Sequence, residues 1–168
     1  GNVGWRLFPK LETITPSVSI GEVITFEADI ILPEGTTSAI SAKEQLISFT
    51  FPLIQLTLVN YTIILGNNIN SDIILNNDQQ PTNITFNEQN TTLSYSLGTI
   101  INNGDNIEND DDIIYIAFAL LVTDVDENNN LMKIGQFDPI MKYSNLNHEN
   151  FTYTQTYSIV EPYLNINT

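Results

Sequence analysis

Ile24-Thr25-Phe26-Glu27-Ala28-Asp29-Ile30 alternates apolar and polar side chains without a break. Successive side chains of a strand point to opposite faces, so a period of two describes a strand with one dry and one wet face. The alternation returns in Leu93, Tyr95 and Leu97 against Ser94 and Ser96, and again in Phe151, Tyr153, Tyr157 and Ile159 against Thr152, Thr154, Thr156 and Ser158. Ile113 to Val122 is apolar on both faces, the pattern of a central strand covered on each side. Turn chemistry separates these runs at Pro33-Glu34-Gly35, Gly66-Asn67-Asn68, Asn102-Asn103-Gly104-Asp105 and Asp126 to Asn130. The single helical spacing, Ala39, Ala42 and Leu46 within Thr37 to Leu46, reads as a loop or one turn. Many short strands punctuated in this way predict an all-β, immunoglobulin-like antiparallel β-sandwich. Its core is expected to contain Ile24, Phe26, Ile30, Leu93, Tyr95, Leu97, Ile116, Phe118 and Leu120.

Composition narrows the function. The 168 residues are enough for one domain with a sizeable core. Twenty Asp and Glu against five Lys and Arg give a formal charge of −15, so nucleic acid and anionic membranes are excluded as expected partners. There is no cysteine, which removes disulfides, thiolate metal sites and thiol nucleophiles together. A 42% hydrophobic chain can still bury enough surface to stand outside the cell without cross-links. No apolar run reaches the ~18–20 residues a membrane-spanning helix needs. The chain opens at Gly1 with neither an initiator Met nor a signal peptide, as expected of a processed chain or a piece of a longer one. Pairs and triplets of Asn, as at Asn128 to Asn130, fall where turns are expected, because Asn tolerates left-handed backbone.

Several short motifs occur together in a fixed order. They are Ile14-Thr-Pro-Ser-Val-Ser-Ile-Gly-Glu-Val-Ile-Thr-Phe26, Ile31-Leu-Pro-Glu-Gly-Thr-Thr37, Leu97-Gly-Thr-Ile100, Asn103-Gly-Asp-Asn106, the Asp-rich entry to Ile113, and Val160-Glu-Pro-Tyr-Leu164. In this order they resemble the repeated surface domain catalogued as domain of unknown function eleven, from about Leu11 to the end. The resemblance implies a tandem Ig-like repeat of a large secreted or cell-surface protein, with no catalytic residues to carry over. The sequence departs from that pattern at Phe51-Pro52-Leu53 and at Gly135-Gln-Phe-Asp-Pro139. Pro9-Lys-Leu-Glu-Thr-Ile-Thr15 also shares Pro, Leu and the final Thr with Pro162-Tyr-Leu-Asn-Ile-Asn-Thr168, read either as a repeat boundary or as chance. The expected organisation is an N-terminal segment over 1–10, the sandwich repeat over 11–161, and a strand or linker into the next repeat or subunit over 162–168.

Four Asn-x-Ser/Thr sequons, at Asn60, Asn83, Asn90 and Asn150, are the glycosylation candidates. Asn83 shares parity with Thr85, and Asn150 with Thr152 and Thr154, which places both on polar faces. Asn90 falls in a turn. Asn60 has the parity of Leu56 and Leu58, so it needs a bulge or a strand end to reach solvent.

Asp124, Asp126, Asn128 and Asn130 place oxygens at alternate positions like the first half of a calcium loop. Position twelve would be Gly135, however, and position six is Asn129. A second acidic cluster, Asp105 with Asp110, Asp111 and Asp112, leads into the central strand. Solvated loops and a structural Ca²⁺ site are the two readings of both clusters, and no other cofactor is expected. His148, the sole histidine, stands among Asn145, Asn147 and Asn150 in what reads as a polar loop, without a base and its orienting group. No enzyme is expected. An intramolecular Lys–Asn cross-link through Lys10 and Asn165 would need a buried acid, and the alternation puts Glu27 and Asp29 on the wet face. Trp5, with Leu7 and Phe8, is either an exposed binding cluster or an ordinary packed edge.

Two functions follow as expectations. The first is a structural repeat or subunit of an extracellular, glycosylated fibre or cell-surface coat, self-associating head to tail or in tandem. The second is an adhesive module that recognises carbohydrate or a partner protein.

Overall fold

The computed structural model describes residues 6–10, 17–38, 46–52, 56–77, 79–86, 90–123, 135–137, 140–145, 148–154 and 157–160. Its strands are β1 (Arg6–Pro9), β2 (Ser17–Ser19), β3 (Val23–Ile31), β4 (Gly35–Thr37), β5 (Leu46–Pro52), β6 (Leu56–Leu65), β7 (Ile69–Ser71) and β8 (Asn83–Phe86). They continue as β9 (Asn90–Ser96), β10 (Ile100–Asn102), β11 (Ile113–Val122), β12 (Gly135–Phe137), β13 (Ile140–Asn145), β14 (His148–Thr154) and β15 (Tyr157–Val160). Asp110–Asp112 form a 3₁₀ turn before β11.

One sheet has the order β1-β3-β11-β6 and a second the order β14-β13-β5-β9-β8. Smaller three-stranded units, β4-β10-β7 and β12-β15-β2, accompany them. The pairing is antiparallel except where β15 runs parallel to β2. The chain is an all-β, immunoglobulin-like sandwich, and β11 lies at its centre because its long apolar run is flanked by β3 and β6 on either edge.

Alternation explains the core. Ile24, Phe26, Ala28 and Ile30 turn inward, while Thr25 is exposed and Glu27 and Asp29 are half-buried. All nine residues expected in the core are at most 9% exposed. Phe49 of β5 joins the two sheets, stacked on Phe118 at 4.5 Å and tilted against Phe26 at 4.7 Å. Each such ring contributes roughly 1.5–3 kcal/mol by leaving water. Gly21, at φ +89°, closes the turn between β2 and β3 in a conformation most side chains resist.

Three expectations change. The run from Phe151 to Ile159 is not one strand: β14 pairs with β13, whereas β15 pairs with β12 and β2 in a different sheet. Alternation is identical on either side of such a switch, because each strand still needs one inward face. The outer face of β11 is only half-buried, apart from Ala117 at 7%, so the central strand is covered fully on its inner side alone. His148 opens β14 instead of standing in a loop, because it pairs opposite Asn145. In addition, Arg6–Pro9 pair with Ala28–Ile31, so the sheet begins before residue 11. Residues 11–16 and 162–168, which carry most of the apparent repeat, lie outside the described residues, as does Trp5.

Candidate functional site

The sequons are best understood from the edges of the sheets. Asn83 lies on β8, at one edge of the five-stranded sheet, and Asn150 on β14, at the other. Asn60 lies on β6, an edge of the four-stranded sheet. Sequons therefore fall on three of the four edge strands of the large sheets. Asn90, expected in a turn, begins β9 opposite Pro52.

Asn83 and Thr85 are both exposed, so the sequon presents its asparagine and hydroxyl together on the wet face. Asn60 reaches solvent by the bulge its parity required. Leu120 pairs with Leu58 and Ala119 with Asn60, which leaves Val59 unpaired. An extra residue in one strand reverses the facing of everything beyond it. Leu56 points inward before the bulge and Ile63 after it, and Asn60 is exposed with its Oδ1 accepting the Tyr61 N–H at 2.9 Å.

The fourth edge strand, β1, has no sequon. It carries Pro9, which cannot donate to a neighbouring strand, and is flanked by Arg6 and Lys10. Arg6 pairs with Glu108 at 2.8 Å and Lys10 with Asp29 at 3.3 Å.

Lys10 also leads to a second feature, a cleft of about 280 Å³ on the outer face of the four-stranded sheet. Register builds it. Of its lining, Asp29, Tyr115 and Ile64 lie in one row across β3, β11 and β6, and Phe8 continues that row on β1 beyond the cleft; Phe8 and Ile64 are 48% and 40% exposed. The Lys10 Nζ sits 5.3 Å from the centre of the Tyr115 ring, and the Tyr115 hydroxyl donates to Glu27. Burial, followed by the Glu27 hydrogen bond and the charges of Glu27 and Asp29, pushes the phenol up to about 12. Chemically this is a shallow surface with a ring, an apolar rim and ion-paired polar groups. Glu27 and Asp29 are both engaged on the outer face and Lys10 is half-exposed, so the buried acid that a Lys10 cross-link needs is not provided by either.

The acidic cluster before β11 is the third feature. Asn109 caps the 3₁₀ turn, accepting the Asp111 N–H, while Asp112 accepts the Asn109 N–H in return. Asp105 accepts from the Ile107 N–H and from Asn68, which holds its carboxyl below the usual range. Glu34 takes the N–H groups of Asp105 and Asn106. These loops are structured by their carboxylates, and Asp112 is fully buried. Among the described residues no three His, Cys, Asp or Glu side chains are grouped to hold a metal. Asp124, Asp126, Asn128 and Asn130 lie outside the described residues.

Sequence reasoning placed Asn83 on a polar face and made the exposure of Asn60 conditional on a bulge or a strand end, but it missed the cleft and the burial of Asp112 and Asn102. The outward parity of Asp29 and Tyr115 was readable, yet only register brings them beside Lys10. Asn109-Asp110-Asp111-Asp112 does carry a readable signal, the spacing of a reciprocal helix cap.

No family model matches the chain and no curated protein matches it in sequence, so the likeness to the repeated surface family rests on the motifs quoted above. Among solved structures, the N-terminal domain of the Streptococcus gordonii adhesin Sgo0707 is similar at 13% identity and a TM-score of 0.49, over 93% of this chain and 32% of that one. BcpA, the major pilin subunit of Bacillus cereus, is similar at 8% identity and a TM-score of 0.43, over 94% of this chain and 40% of that one. The collagen binding subdomain of the Enterococcus faecalis surface protein ACE is similar at 10% identity and a TM-score of 0.38, over 95% and 98%. This chain thus spans less than half of the adhesin and pilin chains. The functional reading rests on this chain's own residues.

Proposed function

We propose that this chain is a non-enzymatic structural repeat or subunit of an extracellular, glycosylated fibre or cell-surface coat. The observation that supports the reading is the placement of Asn60, Asn83 and Asn150 on three of the four edge strands of the two large sheets. Edge strands offer unpaired N–H and C=O groups to any passing strand, and a glycan beside them blocks stray pairing at no cost in burial. The fourth edge of the large sheets, β1, is restrained by Pro9 and two cations and carries no sequon, and on this reading it is the edge through which an ordered array would grow. Pairing of β1 with residues 162–168 of a neighbour, head to tail, gives a contact that does not close on itself.

Intact-mass analysis of the protein from its native source, before and after enzymatic removal of N-glycans, tests the glycan half. The expected result is a mass loss traced to Asn60, Asn83, Asn90 and Asn150, and an unchanged mass removes it. Truncation after Val160 tests assembly: filaments or inter-repeat rigidity are lost while the sandwich still folds. If the truncated chain merely unfolds, the tail belongs to its own domain and the array model fails.

The outer-face cleft favours adhesion as a second reading. A half-exposed ring beside ion-paired Lys10 and Asp29 suits a sugar, whose apolar faces stack on aromatics while its hydroxyls meet charged groups. A glycan array that binds the native protein but not Tyr115→Ala supports this reading, and no binding to any glycan removes it.

A further inference from the structure

Asn103-Gly104 is the only Asn-Gly pair in the chain, and it lies in the loop that leaves β10 for the central strand. The pair stands between two anchors. Before it, the Asn103 N–H donates to the Asn68 carbonyl at 2.9 Å. After it, the Asp105 and Asn106 N–H groups both donate to Glu34 Oε1, at 3.1 and 2.7 Å. Between the anchors both residues are exposed, and neither the Asn103 side chain nor the Gly104 N–H has a hydrogen-bond partner among the described residues.

Those two groups are the electrophile and the nucleophile of one reaction. The side-chain carbonyl carbon of an asparagine can close a succinimide ring with the next backbone nitrogen, once that nitrogen gives up its proton. Glycine leaves the approach open because it has no Cβ. Neighbouring asparagines lack one condition or another. Asn102 is 1% exposed and its Nδ2 is held by the Leu32 carbonyl. Asn106 precedes Ile107, whose branched Cβ crowds its own nitrogen. Asn109 caps the 3₁₀ turn, with its Oδ1 accepting the Asp111 N–H.

We propose that Asn103 is a site of spontaneous deamidation, a slow one-way modification that loosens the connection from β10 to β11. Hydroxide takes the Gly104 N–H proton, and the nitrogen attacks Asn103 Cγ. The new Cγ–N bond forms, the Cγ–Nδ2 bond breaks, and the amide leaves as ammonia with a proton from water. Water then opens the ring at either carbonyl. Opening at Cγ yields aspartate; opening at the backbone carbonyl yields isoaspartate, whose chain runs through Cβ. In net terms water is taken up and ammonia released, with no oxidation or reduction. Either product sets a new carboxylate beside Glu34 and Asp105. The Glu34 carboxylate already lies against Gly104, where an added Cβ would stand 2.9 Å from Oε2. Like charges held that close repel, and isoaspartate also lengthens the backbone between the two anchors. Glu34 should then release the Asp105 and Asn106 N–H groups. The inference is independent of glycosylation and of assembly.

The test is incubation of the full chain in buffers of rising pH made with water enriched in heavy oxygen, followed by peptide mapping in a mass spectrometer. Heavy oxygen is expected at residue 103, in separately eluting aspartate and isoaspartate peptides, at a rate that climbs in proportion to hydroxide. In the aged protein the Asp105 and Asn106 amide resonances should move, and the thermal midpoint should fall by about 2–4 °C. Asn103→Gln, whose longer side chain disfavours the ring, should take up no label there and keep its midpoint through the same incubation. Absence of label at residue 103 in the folded chain overturns the proposal, and label there in the urea-unfolded chain would trace the failure to the anchors. Label spread evenly over the exposed asparagines overturns it as well, because the loop would then confer nothing. Label at residue 103 with unmoved Asp105 and Asn106 amides overturns the loosening.

Discussion

The two faces of β11 use the same ten residues for opposite ends. Inward, Ile114, Ile116, Phe118, Leu120 and Val122 are fully buried, with no polar atom among their side chains. Outward, Ile113, Tyr115, Ala119 and Leu121 stay half-exposed, and Tyr115 binds Glu27 beside the Lys10–Asp29 pair. The inner face is held by packing, which is dense and unforgiving; the outer face is held by polar contacts that solvent competes for. Stability should accordingly reside on one side of the strand and recognition on the other.

The largest break comes from the inner face. Phe118 stacks on Phe49 and approaches Tyr95 at 6.3 Å, so it links the two sheets through both rings. Phe118→Ala is expected to lose about 3–5 kcal/mol, because the cavity it leaves adds to the lost transfer energy. Urea unfolding measures this, and a loss below about 1 kcal/mol would mean that the inner face is not the packed side.

A smaller effect is expected where the two faces end together. Gly66 follows β6 and donates its N–H to the Ile113 carbonyl at 2.8 Å. A methyl group added there would collide with the Asp111 carbonyl oxygen, which is backbone and cannot swing aside. Gly66→Ala is expected to cost about 1–3 kcal/mol by overpacking. It should also disturb the amides of Asp111 and Ile113 ahead of those in the middle of β11. An unaffected Ile113 amide would show that the acidic turn is free to move and that the cleft beside it is not rigid.

The contrast also marks what the sequence could reveal. The inner face was legible because burial imposes a strict period of two, and Ile24 to Ile30 and Leu93 to Leu97 obey it. Even the bulge at Val59 was foreshadowed, since Asn60 had the wrong parity for a glycan. The outer face was not legible, because Lys10, Asp29 and Tyr115 come from three chain segments and alternation says nothing of register. Asn102 was read as part of a turn and Asp112 as part of an acidic cluster, either a solvated loop or a Ca²⁺ site, and their burial was missed for a related reason. A polar turn has the same composition whether it meets water or packs beside Leu32, and only the long-range hydrogen bonds from Asn102 to Leu32 and from Leu32 to Asp112 reveal the difference.

The finest distinction between the faces is a proton. The Tyr115 phenol is pushed up to about 12 from an ordinary 10.0, because burial and the hydrogen bond to the Glu27 carboxylate both favour its neutral form. A folded value above the unfolded one means that the contact stabilises the fold fully below pH ~10, where both states are protonated. Between pH ~10 and ~12 the unfolded chain loses its proton first, and the contribution fades as pH rises through the folded value. Tyr115→Phe should therefore cost only about 0.5–1.5 kcal/mol at neutral pH, far less than Phe118→Ala. Relative to the native chain it should lose less stability as pH climbs through that window. Subtracting the phenolate absorbance titration of Tyr115→Phe from that of the native protein isolates one of the seven tyrosines. A difference curve centred near pH 12 supports the arrangement on the outer face. One centred near pH 10 would mean that Tyr115 is fully solvated and that Asp29, Tyr115 and Ile64 form no cleft.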